Sequence, residues 1–229
     1  AEPPWPAAAI LLAGGQSSRM GQDKRFLLVN GRPLIQHVAE SLRRCFEEVV
    51  IAANDPEHLS FLNVPVVLDP SPGQGPLAGI TSALAATLHD LNFVMACDIP
   101  CINLRLAARL LEAAQDYEGA IPETLDGHLE PLFAVYRRSL LPRMEHAFTH
   151  GVRKVTEAFR GCALAYVPME ACEVPVNLNT TEDYEAFMAS IHGMPCTEAI
   201  YTNARPNCAA YRWHAPSFSG FPPGIHPLP

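Results

Sequence analysis

The sequence predicts an α/β domain with a largely parallel central sheet and helices on both of its faces. Two observations lead to this prediction. Short apolar segments of strand length alternate along the chain with amphipathic segments of helix length. Several of the apolar segments also end on glycine, asparagine or aspartate, residues that favour turns. Strands that alternate with helices at this pace are joined by crossovers and therefore run parallel.

Each predicted strand is an apolar run, and each predicted helix carries an apolar face. The predicted strands span residues 8–13, 26–29, 49–53, 64–68, 93–97, 119–122, 129–137 and 163–167. The predicted helices span residues 34–46, 76 to at least 88, 104–115, 139–149, 152–159 and 181–190. In the second helix the apolar stripe is predicted to reach Leu88. Asn179 or Thr180 is the predicted cap of the last helix.

Three parts are predicted along the chain. Residues 1–7 are Pro-rich and are expected to form a flexible lead-in, and residues 8–190 are expected to form the folded domain. Residues 191–229 form a tail that holds seven of the 22 prolines and has no sustained hydrophobic period. We expect this tail to be disordered or loosely packed on the domain.

Charge and composition exclude several classes of function. The net charge of −8 argues against nucleic acid as a partner, because a phosphate backbone needs a basic face. No apolar run approaches the ~20 residues that span a bilayer, and the start AEPPWPAAAI has no basic region of the kind a signal peptide carries. We therefore expect a cytoplasmic protein with no membrane partner. The seven cysteines form no C-x-x-C pair and are expected to be reduced.

The stretch 8–24, AAILLAGGQSSRMGQDK, carries the strongest functional signal. Gly14 and Gly15 follow the first predicted strand, and their backbone N–H groups can approach an anion closely because no Cβ intervenes. Arg19 adds a forked donor, and Lys24 adds a mobile positive charge. The spacing matches neither the P-loop nor the dinucleotide-binding fingerprint. We predict that this loop is a triphosphate cradle.

Four further polar positions follow predicted strands. A carboxylate at a strand end, such as Asp98, suits Mg²⁺ that also binds a triphosphate, and Asp98 lies too far before the next helix to be its N-cap. Asp69 is either a nucleotide contact or only the opener of an Asp-Pro turn. Asn54 and Asp55 either reach a base or ribose or only end a strand. In a parallel sheet Asp69 and Asp98 are expected to meet Gly14 and Gly15 at one edge.

These residue types favour nucleotidyl transfer. In that reaction an anionic oxygen of an acceptor attacks the α-phosphorus of a nucleoside triphosphate, and pyrophosphate leaves. The enzyme supplies positioning, Mg²⁺ and cations rather than a nucleophile of its own. No Ser-His-Asp or Cys-His arrangement stands out in the sequence, which agrees with this chemistry. The predicted catalytic residues are Arg19, Lys24 and Asp98, and Asp98 is the predicted metal ligand.

The opening stretch resembles the signature L-A-G-G-x-S-x-R-M-G-x-D-K of nucleotidyltransferases that act on molybdenum cofactor. Other motifs similar to those of molybdenum cofactor guanylyltransferases are GPLAG at 75–79, CDIP at 97–100, PLFAVY at 131–136 and VNLNTTED at 176–183. The resemblance covers residues 8–189. It implies a Rossmann-like nucleotidyltransferase fold, Mg²⁺ dependence and transfer of GMP from GTP to Mo-molybdopterin. Molybdoenzyme chaperones and other cofactor-biosynthesis proteins are further candidate partners.

Carried over by position, the resemblance also implies site residues. The residues that would hold the nucleotide at the first loop are Leu12, Ala13, Gly14, Gly15 and Lys24. Asp69 would lie near the nucleoside, and Asp98 would serve GTP and Mg²⁺ together. Asn177 and Asn179 would line the pterin side.

One position departs from the family. Asn is common in these enzymes at the position of Ala52, and Asn54 is the asparagine that remains in this turn. This departure weakens the base contact that the resemblance implies from this turn, and Asn54 stays a candidate substrate-binding residue.

Three other functions stay open. A cytidylyltransferase for the same pterin has a similar plan, but its family usually reads Leu-Ala-Ala-Gly at positions 12–15 and usually lacks the GPLAG run, so both features favour guanine. A sugar-phosphate nucleotidyltransferase is a more distant relative with a comparable loop. A non-catalytic nucleotide-binding or pterin-binding carrier would keep the loop but would tolerate loss of Asp98.

Overall fold

The computed structural model describes residues 4–14, 23–69 and 73–191. Its strands are β1 (Trp5–Leu12), β2 (Leu28–Val29), β3 (Arg32–Pro33), β4 (Phe46–Ala53), β5 (Val66–Leu68), β6 (Leu91–Ala96), β7 (Gly119–Glu123), β8 (Phe133–Arg137) and β9 (Leu164–Pro168). Its α-helices are α1 (Leu34–Cys45), α2 (Pro76–Ala86), α3 (Leu104–Ala113), α4 (Leu141–Thr149), α5 (Val155–Ala158) and α6 (Thr181–Ser190). Short 3₁₀ segments lie at Lys24–Phe26, Pro56–Leu62 and Arg138–Leu140.

Seven strands form one sheet in the order β5-β4-β1-β6-β8-β7-β9. β1 pairs in parallel with β4 and β6, β4 pairs in parallel with β5, and β7 pairs in parallel with β9. Among the described strands of this sheet, β8 alone runs the other way, since it is antiparallel to β6 and β7. The prediction of a largely parallel sheet is therefore confirmed. The carboxyl ends of β1, β4, β5 and β6 share one edge, where ligands bind in such sheets.

Helices cover both faces of the sheet, and β1 shows how. Ala9 and Leu11 belong to a core that includes residues of α1, α3 and α6. Ile10 and Leu12 belong to a second core, which includes residues of α2 and α4. All four side chains are buried. This burial on both faces explains why the strand reads as one continuous apolar run rather than as an alternating pattern.

β1 begins earlier than the sequence predicted. Trp5 is its first residue, the Trp5 ring packs edge-on against Phe46 with centroids 5.0 Å apart, and Ala7 is buried. The prediction of a flexible lead-in over residues 1–7 is therefore wrong for residues 5–7. The pairing with β4 is irregular between Trp5 and Ala8, and Pro6 lies in this irregularity, where its missing N–H is tolerated.

The segment predicted as a strand over residues 26–29 contains two elements. Lys24–Phe26 is a 3₁₀ turn, and the strand is limited to Leu28–Val29. Asn30 and Gly31 then adopt positive φ values of 47° and 80°, which a two-residue hairpin requires before β3.

Several other boundaries differ from the prediction, and the helix predicted over residues 152–159 is limited to Val155–Ala158. α2 ends at Ala86, and Leu88 is 88% exposed, so the apolar stripe does not extend to it. The strand predicted over residues 129–137 begins only at Phe133, because the Phe133 N–H donates to the Glu130 carbonyl oxygen in a turn (3.1 Å). The α6 range agrees with the prediction, and its cap is Thr180.

The described residues contain no helix with the length and hydropathy needed to cross a membrane. At the end of α6 the Ile191 N–H donates to the Phe187 carbonyl oxygen (3.2 Å), and both side chains are buried. The rest of the predicted tail, residues 192–229, lies outside the described residues.

Candidate functional site

The carboxyl end of β1 lies between the ends of two neighbouring strands. The Ala13 N–H donates to the Ala52 carbonyl oxygen at the end of β4 (2.8 Å). On the other side, the Cys97 N–H after β6 donates to the Leu12 carbonyl oxygen (3.0 Å). Gly14 follows these bonds and is exposed at the edge of the sheet. Hydrogen bonds to both neighbouring strands therefore fix the backbone just before Gly14, and Gly14 itself is exposed to solvent.

Two predicted nucleotide residues flank Gly14. A Cβ atom at Gly14 would lie 3.6 Å from Asn54 Nδ2 and 3.7 Å from Asp69 Oδ2. The side chains that follow β4 and β5 thus meet the end of β1, as the parallel sheet predicted. Gly15 and Arg19, the other candidates in this loop, lie outside the described residues.

The Asn54 side chain carries an acceptor that no described residue satisfies. Its Oδ1 is buried and has no hydrogen-bond partner among the described residues. An unpaired buried acceptor costs about 1–3 kcal/mol. The Asn54 amide lies beside Gly14, near the end of β1.

The first turns of α2 pack closely on the same side of the site. A Cβ atom at Gly79 would lie 3.6 Å from Asp69 Oδ2, 3.6 Å from Ala52 Cβ and 3.7 Å from Leu12 Cδ2. Asp69 is 7% exposed, and its N–H donates to the Ala53 carbonyl oxygen (3.0 Å). Gly79 of the GPLAG run therefore lies against the ends of β1, β4 and β5, at distances where an added Cβ would make ordinary van der Waals contact.

Lys24, Asp98 and Asn179 converge at the neighbouring position on the edge. Lys24 Nζ lies 3.5 Å from Asp98 Oδ2 and donates to Asn179 Oδ1 (3.0 Å). The Lys24 and Asp98 side chains are 16% and 26% exposed, so this group of charges remains accessible from solvent. Three residues predicted from separate segments therefore share one site.

The backbone around Asp98 explains this convergence. Asp98 follows β6, and its carbonyl oxygen accepts a hydrogen bond from the Leu178 N–H (2.9 Å), which brings the segment of Asn177 and Asn179 to the end of β6. The cap of α3 is Asn103, whose side chain accepts from the Leu106 N–H (3.0 Å). Asp98 is therefore not the helix cap, in agreement with the prediction.

A capping box holds Asn179 at the start of α6. Asp183 Oδ2 accepts from the N–H groups of Asn179 (2.9 Å) and Thr180 (2.8 Å), and Thr180 Oγ1 accepts from the Asp183 N–H (3.1 Å). These hydrogen bonds lower the pKa of the Asp183 carboxyl, and the bond from the Thr180 backbone N–H has the largest effect. The side-chain role of Asn177 stays a prediction.

Arg25 is a site residue that the sequence did not reveal. Its guanidinium binds the carboxylates of Asp23 and Asp55 and donates to the Ala13 carbonyl oxygen (3.2 Å). The hydrogen bond from Arg25 is the main cause that lowers the pKa of Asp55. The sequence shows Arg25 only as one more cation beside Lys24, because two of its partners, Asp55 and the Ala13 carbonyl oxygen, come from distant segments.

The cysteines near Asp98 pack against the hydrophobic core. Burial raises the pKa of the Cys97 thiol and of the Cys101 thiol to about 12. Both thiols are therefore protonated at neutral pH, and thiolates are in any case poor ligands for Mg²⁺. No disulfide joins the cysteines of the described residues.

The donor set of the site fits a hard cation that also binds phosphate. Within the described ranges there is no group of three or more His, Cys, Asp or Glu side chains that could hold a metal by itself. Mg²⁺ needs only one or two carboxylates, because water and phosphate oxygens supply its other ligands. The Asp98 carboxylate and the nearby Asn179 Oδ1 are oxygen donors of the required kind.

The fold and the site define a class of enzyme. A strand that ends on glycine, a lysine and an aspartate meet at the carboxyl edge of a parallel sheet, where phosphate groups can be bound by backbone N–H groups and a cation. No side chain of the group is activated as a nucleophile. This is the arrangement of a nucleotidyltransferase.

Comparison with known proteins gives the family. The model of the MobA-like NTP transferase domain matches residues 9–164. The molybdenum cofactor guanylyltransferase of Vibrio cholerae is 35% identical over 184 residues, which cover 79% of this chain and 90% of that protein. The molybdenum cofactor guanylyltransferase of Pseudomonas entomophila is 34% identical over 171 residues, which cover 73% and 87%.

A solved structure agrees with these matches. The crystal structure of molybdopterin-guanine dinucleotide biosynthesis protein A from Archaeoglobus fulgidus superposes with a TM-score of 0.67 at 25% identity and covers 78% of this chain and 95% of that one. The chain belongs to the MobA-like NTP transferase family.

Proposed function

We propose that this chain transfers GMP from GTP to Mo-molybdopterin, releases pyrophosphate and forms the molybdopterin guanine dinucleotide cofactor. The observation that carries the proposal is the convergence of Lys24, Asp98 and Asn179 beside the end of β1. Lys24 and Asp98 are predicted to bind the nucleotide, and Asn179 is predicted to line the pterin side, so this convergence would bring the two substrates together. The names of the relatives from Vibrio cholerae and Pseudomonas entomophila support the same reaction.

The proposed reaction is a substitution at phosphorus. An oxygen of the acceptor phosphate attacks the α-phosphorus of GTP and forms a new P–O bond. The bond from that phosphorus to the bridging oxygen breaks, and pyrophosphate leaves with the electron pair. Lys24 would neutralise charge on the phosphate groups, and the Gly14 backbone would allow their close approach. Asp98 would hold Mg²⁺, which when bound supplies further charge neutralisation and orients the phosphates.

Selectivity for guanine would depend on the nucleoside side of the site. The Asn54 side chain lies beside Gly14 and is a candidate base contact, because its amide can both donate and accept hydrogen bonds. The approach of α2 at Gly79 towards Asp69 supports a nucleoside site formed by these elements.

The proposal is tested by supplying GTP, CTP and ATP separately with Mo-molybdopterin and Mg²⁺ and measuring pyrophosphate release. We expect release with GTP and little with CTP or ATP. Faster release with CTP, or tighter CTP binding by isothermal titration calorimetry, would show that the chain is a cytidylyltransferase.

A carrier that binds the nucleotide or the pterin without turnover is the second class of function, and Asp98→Ala discriminates it. In an enzyme this change lowers turnover far more than GTP binding, because the carboxylate acts on the reacting phosphates. In a carrier it changes neither by much. The cytoplasmic location and the chaperone partners stay predictions.

A further inference from the structure

Three of the described segments that carry proposed nucleotide residues bind one guanidinium. We propose that Arg25 is the positioning residue of the nucleotide site: it holds Lys24, Gly14 and Asn54 in their relative positions by binding the residue next to each of them. This inference rests on the proposed function, since it assigns a role to Arg25 in GTP binding.

The first link is to the segment of Lys24 itself. Arg25 Nε donates to Asp23 Oδ1 and Oδ2 (3.0 Å each), and Nη2 binds the same carboxylate. Asp23 also accepts from the Arg25 backbone N–H (3.0 Å) and caps the 3₁₀ turn Lys24–Phe26. Lys24 therefore lies between two residues that are fixed to each other, which limits the positions its side chain can reach.

The second and third links reach the sheet. Arg25 Nη1 donates to the carbonyl oxygen of Ala13, the residue before Gly14. Nη1 and Nη2 also bind the two oxygens of Asp55, the residue after Asn54, with Nη2 2.7 Å from Oδ2. The ends of β1 and β4 are thereby held at a fixed distance from the turn that carries the lysine.

The number of N–H donors on Arg25 indicates that this residue positions its neighbours and does not bind phosphate directly. The five N–H groups of a guanidinium side chain are all used by the two carboxylates and the carbonyl oxygen. The Arg25 side chain is only 12% exposed. The group formed by Arg25, Asp23 and Asp55 also has a net charge of −1, which would repel a triphosphate. Arg25 therefore acts through its neighbours and not by touching the phosphates.

A lysine at this position could not reproduce these contacts. Lysine has three donors around one point, whereas the planar guanidinium binds two carboxylates and a carbonyl oxygen in fixed directions. Arg25→Lys keeps the charge and loses the geometry, so it tests positioning without removing the cation.

Arg137 provides a matched control. Its guanidinium also joins distant segments, through the Asp90 carboxylate (2.7 Å) and the carbonyl oxygens of Ala114 (2.9 Å) and Gln115 (2.7 Å). Arg137 pairs with Leu91 at the start of β6, which is the edge of the sheet opposite the site. Arg137→Lys therefore removes a similar structural link far from the proposed nucleotide.

The experiment compares Arg25→Lys, Arg137→Lys and the unmodified chain in melting temperature and in kcat and KM for GTP at saturating acceptor. We expect both variants to lose stability, but only Arg25→Lys to lower kcat/KM for GTP, by about 10- to 100-fold and mainly through KM, as small misplacements of binding groups do. Asp55→Asn should also lower kcat/KM for GTP. Because Arg25 and Asp55 act as one unit, kcat/KM in the double variant Arg25→Lys with Asp55→Asn should fall by less than the product of the two single reductions.

Hydrogen exchange gives a readout that does not depend on the substrate. Arg25→Lys should speed exchange in residues 10–14 and 50–56 more than Arg137→Lys does. If the unmodified chain transfers no GMP, the proposed function fails and the exchange result alone decides the role of Arg25. Unchanged exchange in these segments, or a kcat/KM for GTP within about twofold of the unmodified chain, would overturn the inference.

Discussion

Lys24 is the described cation on which the proposed triphosphate site depends, and replacing it with methionine tests that site directly. Methionine keeps an unbranched apolar side chain of similar length and removes the charge and the donors. Lys24 Nζ lies 3.5 Å from the Asp98 carboxylate, and its side chain is only 16% exposed, so the contact is partly shielded from water. We expect Lys24→Met to weaken GTP binding.

The size of the effect follows from the type of contact. A hydrogen bond to a charged group contributes about 1.5–3 kcal/mol, which corresponds to a Kd for GTP that is about 10- to 150-fold higher. Loss of the cation also leaves the Asp98 carboxylate facing the triphosphate without its lysine partner, which adds repulsion. We therefore expect the upper part of this range when Mg²⁺ is limiting.

The chain offers an internal control for this experiment, because its only other lysine is Lys154. Lys154 is 78% exposed and pairs with Glu157 across 3.5 Å in a surface contact of little energetic weight. Isothermal titration with GTP and Mg²⁺ should show the loss in Lys24→Met and an unchanged Kd in Lys154→Met. Amine acetylation read by mass spectrometry should show GTP protecting Lys24 but not Lys154. An unchanged GTP affinity in Lys24→Met would refute the triphosphate site.

Three further predictions concern the neighbouring residues. Asp98→Asn should lower kcat for pyrophosphate release by about 100-fold or more while changing the Kd for GTP much less; equal losses in both would contradict a role on the reacting phosphates. Asn103→Ala should destabilise the fold by about 1 kcal/mol, because it removes the side-chain cap of α3. Calorimetry should show a Tm lower by about 2–4 °C, and KM for GTP should be unchanged. An unchanged Tm would refute the capping role of Asn103. Because Arg25 lowers the pKa of Asp55 in the folded state, this carboxylate stabilises the fold above its ordinary pKa of 3.8, and that contribution is lost as the pH falls from this value through the lower folded pKa. Urea unfolding should accordingly show a weaker dependence on pH in this range for Asp55→Asn, and an identical pH dependence would contradict the pairing.

Much of the fold could be read from local patterns. The core strands β1, β4 and β6 were predicted because each is a continuous apolar run, and residues buried on both faces need no polar alternation. The two-residue turn at Asn30 and Gly31 can be read from the sequence, because few other pairs tolerate positive φ at both positions. The β8 strand was found, but its antiparallel direction was not, because strand direction depends on which neighbours it pairs with.

The missed features share a physical cause. Trp5 was assigned to the lead-in because Pro6 interrupts the strand pattern, and only the packing of its ring on Phe46 shows that it belongs to the sheet. Arg25 was missed because its role depends on Asp55, 30 residues away, and on the carbonyl oxygen of Ala13.

The sequence by itself determined where strands end and which of those ends carry glycine, asparagine or aspartate, because these are properties of neighbouring residues. It also identified the family through motifs that are contiguous in the chain. Only the tertiary structure decided which ends meet. Lys24 and Asn179 are separated by 155 positions, yet Lys24 Nζ lies 3.0 Å from Asn179 Oδ1. The strand order brings β1 beside β6, and the hydrogen bond from the Leu178 N–H to the Asp98 carbonyl oxygen brings the start of α6 to the same edge. Contacts of this kind depend on the packing of the whole sheet, which no short segment of the chain encodes.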